Sequence, residues 1–91
     1  MKYLVVIDAN SLIGKAYAPK NLAVAVGPET HVGLHCIAID LSNPQYIFVQ
    51  TDPNQPPGIR QSLHLPHGIV VMIAQYEVGD PPAIGFAPER R

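Results

Sequence analysis

The residues with the most chemical potential are four histidines, which form two sequence pairs: His31 with His35, and His64 with His67. Four imidazoles would be enough for one zinc ion, which holds its nitrogen ligands at about 2 Å. The spacing of the first pair argues against a shared ion. If residues 31–40 form a strand, four residues at about 3.3 Å each separate His31 from His35 by roughly 13 Å. We therefore expect this pair to lie half-exposed on a sheet.

The second pair, His64 and His67, flanks the dipeptide Leu65-Pro66, and a turn there would bring the two rings together. This pair is the better candidate for a metal site, with one of His31 and His35 as a third ligand. Overall we expect neither a bound metal nor a cofactor. If a metal is bound, His64, His67 and Asp8 are the residues we expect to hold it.

Asp8 follows an apolar run and precedes a possible helix start, in the order Leu4-Val5-Val6-Ile7-Asp8-Ala9-Asn10-Ser11-Leu12-Ile13. This segment resembles the opening of PIN-like and 5′-nuclease domains, in which an apolar strand leads into Asp-x-Asn and a helix. The resemblance implies that Asp8 would help to hold a divalent metal. Such an enzyme needs several carboxylates converging on the ion. The remaining acids lie in no comparable helical context: Glu29, Asp40, Asp52, Glu77, Asp80 and Glu89. We expect Asp8 instead to end a strand in an Asx turn.

Two further sequence features give no support for catalysis. Cys36 is the only cysteine, and a reactive thiolate needs an accessible, electropositive setting. Its place on a predicted core face favours a buried, inert thiol. Gly14-Lys15 is similar to the end of a phosphate-binding loop, but alanines stand where that loop needs Gly and Ser or Thr. No catalytic constellation remains, so an enzyme is the less favoured hypothesis.

The composition limits the possible partners. Apolar residues make up 47% of the chain and charged residues 14%, against about 25% in an average domain. This excludes a disordered chain and leaves apolar surface that a partner could cover. The six Lys and Arg residues are scattered and the net charge is −1, so we expect no nucleic-acid binding. No apolar run approaches the roughly 18 residues of a membrane span.

The apolar run at residues 3–7 is also too short for a signal peptide, which needs about 7–15 such residues. A single cysteine suits a reducing compartment, so we expect a cytoplasmic protein. At 91 residues, the chain is expected to form a single domain over residues 1–91.

Runs of β-branched and apolar residues between Pro and Gly turns predict strands at 2–9, 22–26, 31–40, 46–51, 62–65, 68–78 and 83–86. The fold class expected is mainly β, a small antiparallel barrel or sandwich of about six strands with at most one or two short helices. An α+β fold is the alternative. Residues 10–17 suit a short helix capped by Asn10 or Ser11, or a loop, and residues 68–78 suit a strand or a buried helix.

Alternation along the predicted strands separates core residues from uncovered ones. The expected core is Val5, Ile7, Leu34, Cys36, Ile47, Val49, Val70 and Met72. Apolar residues on the opposite faces lack cover, and we expect them to form an interface: Ile37, Ile39, Ile69, Val71 and Ile73. The leading hypothesis is a non-catalytic binding or assembly module with an accessory or regulatory role, acting as a homodimer or with a protein partner. The alternative is a metal-dependent hydrolase or nuclease-like enzyme using Asp8 or the His64/His67 pair.

Overall fold

The computed structural model describes residues 1–77 and confirms a mainly β protein. Its strands are β1 (Lys2–Ile7), β2 (Leu22–Val26), β3 (Glu29–Asp40), β4 (Tyr46–Thr51), β5 (Ser62–Pro66) and β6 (Val70–Tyr76). One α-helix, α1 (Leu12–Tyr17), leads into a short 3-10 helix at Ala18–Lys20, and a second 3-10 helix spans His67–Ile69. None of the helices in residues 1–77 is long and apolar enough to cross a membrane. The predicted strand at 83–86 lies outside the described residues.

All six strands pair antiparallel in one sheet with the order β5-β4-β3-β1-β6. Strand β3 is the centre of this sheet. One of its edges pairs with β1, while the opposite edge pairs first with β2 and then with β4. The sheet formed by residues 1–77 is not closed into a barrel. The predicted hairpin of residues 31–40 and 46–51 is confirmed as the β3–β4 pair.

A β-bulge interrupts the β3–β4 pair at Ile37. Cys36 lies opposite Thr51 and Ala38 opposite Gln50, which leaves one extra residue on β3. An extra residue reverses the in–out alternation of every residue after it. Ile39 consequently packs against the same core as Cys36, whereas the sequence analysis had placed Ile39 on the opposite face.

The main core lies on one face of the sheet, and it is covered by side chains from α1, including Ile13 and Tyr17. Its buried members are Val5, Ile7, Val32, Leu34, Cys36, Ile47, Val49 and Leu65. A second, smaller cluster of Leu4, Val6 and Val24 lies on the opposite face. Both faces of β1 are therefore buried, as expected for a strand at the centre of a sheet.

Six of the eight predicted core residues are confirmed, with exposures between 0 and 4%. Val70 is partly buried against the main core, but the prediction for Met72 is wrong because this side chain is 38% exposed. The cause is a second irregularity, between Val6 and Ile7: Val6 lies opposite Met72, but Ile7 lies opposite Val70. Simple alternation through residues 68–78 therefore fails at the start of β6.

Helix α1 begins at the predicted cap and rests on the backbone that follows β1. The Ser11 Oγ accepts a hydrogen bond from the Gly14 N–H at 2.9 Å and donates one to the Asp8 carbonyl at 2.7 Å. Gly14 is buried, and a methyl group there would overlap the carbonyl oxygen of Asp8. The absence of a side chain at position 14 is what lets the helix approach so closely.

We expect Gly14→Ala to lower the free energy of unfolding by about 1–3 kcal/mol, the usual cost of overpacking. Helix propensity alone would favour Ala by about 1 kcal/mol, so a loss must come from the overlap with Asp8. Urea unfolding followed by circular dichroism measures the change. Gly68→Ala is the matched control, because a methyl group at position 68 meets nothing within 4 Å. Equal stability of the two variants would contradict the packing described here.

Candidate functional site

Asp8 forms the predicted Asx turn at the end of β1. Its Oδ1 accepts a hydrogen bond from the Asn10 N–H at 2.9 Å, and its backbone N–H donates to the Ile69 carbonyl at 2.7 Å. These bonds join β1, the start of α1 and the approach to β6. The carboxylate that the resemblance to nucleases assigns to a metal is used here to shape a turn.

His31 is buried beside this turn, with 8% exposure, so the expectation of a half-exposed ring was wrong. Its Nδ1 accepts a hydrogen bond from the Ala9 N–H at 3.2 Å, so Nδ1 carries no proton. Its Nε2 faces the Glu29 Oε1 at 3.3 Å, while the Asp8 Oδ1 lies 3.9 Å from Nδ1. The ring connects the end of β1 to the start of β3, and both of its nitrogens already have partners.

The two histidines of the second pair take different positions. His64 lies on β5, with its ring against those of Phe48 and Tyr46. His67 lies in the 3-10 helix before β6, and its Nε2 is 3.1 Å from the Asn43 carbonyl oxygen, to which it donates. Within residues 1–77, no group of three or more His, Cys, Asp or Glu side chains is arranged to hold a metal ion.

A buried ion pair joins the start of β1 to the end of β4. Lys2 Nζ lies 2.6 Å from Asp52 Oδ2, and the two side chains are 22% and 2% exposed. Burial raises the pKa of the Asp52 carboxyl. The hydrogen bonds from Lys2 and the Asn54 N–H, with the charges of Lys2 and His35, outweigh burial and hold that pKa below its ordinary value. The Asp52 carboxyl is therefore ionised at neutral pH, although it is buried directly after the end of β4.

The titratable groups next to this pair are held in unreactive forms. Burial lowers the pKa of His35 and raises the pKa of Tyr76, whose hydroxyl lies 3.2 Å from the His35 Nδ1. Burial, followed by the charge of Asp52, raises the pKa of the Cys36 thiol to about 12. A protonated thiol beside a neutral imidazole offers no ready nucleophile. We therefore assign His35, Cys36 and Tyr76 a structural role beside the Lys2–Asp52 ion pair.

A second group of side chains lies on the sheet face opposite the main core, where β3, β4 and β5 run side by side. Asp40 pairs with Phe48, and Phe48 pairs with His64, so the three side chains form one row. The Phe48 and His64 ring centroids are 5.3 Å apart, and those of Tyr46 and His64 are 6.2 Å apart. With Ser42 and Asn43, these four residues line an open cleft of about 400 Å³. We call this group the aromatic cleft.

Sequence analysis missed the aromatic cleft because the row depends on the bulge at Ile37. Without the extra residue, Ile39 would lie opposite Phe48 in place of Asp40. The alternation of Tyr46 and Phe48 along β4 was the one available signal, since it places both rings on the same face.

The five residues expected to form an interface are mostly covered by the chain itself. Ile39, Ile69 and Ile73 pack against the main core, and Ile37 is partly buried at the bulge. Val71 alone is exposed, at 39%. The neighbouring Met72, which the sequence assigned to the core, is exposed to a similar degree.

No family model, curated protein or solved structure matches this chain. Its function is therefore argued from its residues and their geometry.

We expect Lys2→Met to lower the free energy of unfolding at pH 7 by about 1–3 kcal/mol, since it removes a partner from a buried carboxylate. The folded pKa of Asp52 is depressed, so its contribution is present above the unfolded pKa of about 3.9 and disappears as the pH falls through the folded pKa. The gap between variant and wild type should therefore shrink below about pH 4. Chemical denaturation across this pH range measures it.

Lys20→Met is the matched control, because Lys20 is exposed and forms no ion pair within residues 1–77. A stability gap for Lys2→Met that stays constant into acid, or equals that of the control, would show that the ion pair contributes nothing.

We also expect Cys36 to resist a disulfide reagent such as dithionitrobenzoate in the folded protein and to react fully in denaturant. The side chain is 0% exposed, and its raised pKa leaves little thiolate at neutral pH. Absorbance of the released thiolate follows the reaction. Rapid labelling under native conditions, at a rate near that of the unfolded chain, would be incompatible with this burial.

Proposed function

We propose that this protein is a non-catalytic binding and assembly module that pairs with a second copy of itself through the outer edge of β6. The observation that carries the proposal is the chemical character of that edge. Strand β6 ends the sheet and pairs only with β1 within residues 1–77. Among residues 1–77, no strand pairs with its outer N–H and C=O groups, the groups through which an edge strand binds another chain.

Natural edge strands usually carry devices that prevent such pairing, among them lysines, prolines and very short length. Strand β6 has none of these three. Its register irregularity, at Val71, is confined to its start, and Met72 to Tyr76 pair regularly with β1. Its seven residues, VVMIAQY, include no charged residue and no proline. The edge strand at the other end, β5, is five residues long and ends at Pro66. Of the two ends of the sheet, β6 is the better template for a partner strand.

Apolar side chains accompany this free edge. Val71 and Met72 are 39% and 38% exposed. The pairing register runs from Met72 through Val6 and Gly33 to Leu22, which is itself 44% exposed. Met72 and Leu22 therefore lie on one row across four strands, on the face that carries the smaller cluster. A partner at β6 would cover part of this row.

A second copy suits this edge better than an unrelated strand. An antiparallel pair of identical strands is related by a two-fold axis, which makes each residue's contact reciprocal. No like charges then oppose each other, because β6 carries none. Two-fold dimers are the commonest homo-oligomers, and the low charged fraction of 14% is consistent with a covered surface.

The test is the molar mass of the full chain and of Val71→Lys, measured by light scattering after gel filtration. We expect wild type to have twice the 9.9 kDa of one chain, and Val71→Lys to have the mass of one chain. A lysine on an edge strand disfavours pairing with another strand, because its charge would have to lose water on pairing. Leu12→Lys is the matched control, because Leu12 is 86% exposed on α1, away from the edge. It should remain dimeric.

Hydrogen exchange gives a second measurement on the same protein. In a dimer, the β6 amides that do not bond to β1 become protected as concentration rises, while those of β5 do not change. A monomeric wild type at about 100 µM, above the usual range for stable dimers, would reject the proposal. So would equal dissociation of the Leu12→Lys and Val71→Lys variants.

A further inference from the structure

The aromatic cleft has a composition that selects a type of ligand. Its volume of about 400 Å³ falls in the range of protein ligand sites, about 300–1,000 Å³. The walls are three aromatic rings, Tyr46, Phe48 and His64, and its one charged group is Asp40. The cleft lies on the β3–β4–β5 part of the sheet, so it is separate from the β6 edge discussed above.

Asp40 supplies a permanent negative charge at one side of the cleft. Its Oδ1 accepts a hydrogen bond from the Ser42 N–H at 2.9 Å. Hydrogen bonds from the Ser42 side chain and backbone lower the pKa of the Asp40 carboxyl, so it is ionised at neutral pH. A carboxylate has about four lone-pair positions, and about half of those on Asp40 remain after the two hydrogen bonds from Ser42.

The side-chain oxygen of Asn43 is used within the loop of the cleft. Asn43 Oδ1 accepts hydrogen bonds from the Gln45 and Tyr46 N–H groups at 2.7 and 3.2 Å. These bonds hold the β3–β4 turn and fix the position of Tyr46 relative to Asp40. The cleft therefore offers a ligand one free carboxylate and a set of rings held in place.

The rings present electron-rich surfaces beside that carboxylate. The Tyr46 ring meets His64 edge-on, with an interplanar angle of 82°, and Phe48 is tilted against His64 by 57°. All three rings line the cleft together with Asp40. The face of an aromatic ring attracts a cation, and the attraction adds to that of a nearby carboxylate.

We propose that the aromatic cleft binds the guanidinium group of an arginine side chain presented by a partner protein. Guanidinium is planar, stacks on aromatic faces and pairs with a carboxylate through two parallel N–H···O bonds. An ammonium group, as a compact and strongly hydrated charge, matches this arrangement of flat rings and one carboxylate less well. The openness of the site on a sheet face suits a side chain that arrives on another chain.

The first experiment compares three probes by NMR titration of the full-length protein: N-acetyl-arginine amide, N-acetyl-lysine amide and N-acetyl-citrulline amide. Citrulline has nearly the shape of arginine without its charge. We expect arginine to shift the Asp40, Phe48 and His64 signals with a Kd on the order of 1–10 mM, and citrulline to leave them unmoved.

Two further titrations distinguish a free guanidinium ion from an arginine side chain carried by a protein. Free guanidinium chloride at equal ionic strength reports on the head group alone, whereas a short peptide with one central arginine reports on a side chain carried by a protein. We expect the peptide to bind at least about tenfold more tightly than the free ion, because its backbone adds contacts beside the cleft. Equal affinities for the two would reject the protein partner.

Asp40→Asn is the first variant, because it removes the charge while keeping an oxygen for the Ser42 N–H. We expect it to weaken arginine binding by about tenfold or more. Glu77→Gln is the matched control, since it removes one exposed carboxylate outside the cleft and should leave the affinity unchanged. Phe48→Leu should weaken binding while the circular dichroism spectrum stays the same.

Several outcomes would overturn the proposal. These are binding of citrulline as tightly as arginine, equal losses in Asp40→Asn and Glu77→Gln, or no saturable shift at the cleft up to about 50 mM arginine probe. None of these results depends on the oligomeric state, so they leave the proposed dimer to its own test.

Discussion

The structure depends on a single strand, β3, that serves two parts of the sheet at once. Its first half lies between β1 and β2, and its second half pairs with β4. With unbroken alternation, Ala38 would follow Cys36 on the core face, and Ile39 would face away from the core. The extra residue at Ile37 reverses the alternation after Cys36. Ile39 enters the core, and Asp40 turns to the opposite face.

The polar groups that look most reactive in the sequence are used to hold this sheet together. Asp8 shapes the turn into α1, His31 links β1 to β3, and Asp52 pairs with Lys2 at the other end of β1. Each is buried or bonded to the backbone, so it stabilises the fold at the expense of reactivity. Within residues 1–77, the two surfaces on which our proposals of binding rest are the edge of β6 and the aromatic cleft.

Local signals predicted much of the fold. The Asx turn at Asp8, the Ser11 cap and the β3–β4 hairpin each depend on residues close in sequence. The failures of side-chain phase at Ile39 on β3, and at Met72 and Ile73 on β6, lie beyond a register irregularity. No residue type marks these positions, because a bulge is set by what the partner strands need. The aromatic cleft was missed for the same reason: its row of Asp40, Phe48 and His64 exists only in the shifted register.

The register of β3 against β4 decides both the core position of Ile39 and the row of the aromatic cleft, and cross-strand backbone NOEs in solution measure it. We expect contacts between Ile39 and Val49 and between Asp40 and Phe48, with Ile37 opposite no residue of its own. Contacts between Ala38 and Val49, together with Ile39 and Phe48, would indicate an unbroken ladder. That result would contradict the bulge, remove Ile39 from the core and separate Asp40 from the aromatic cleft.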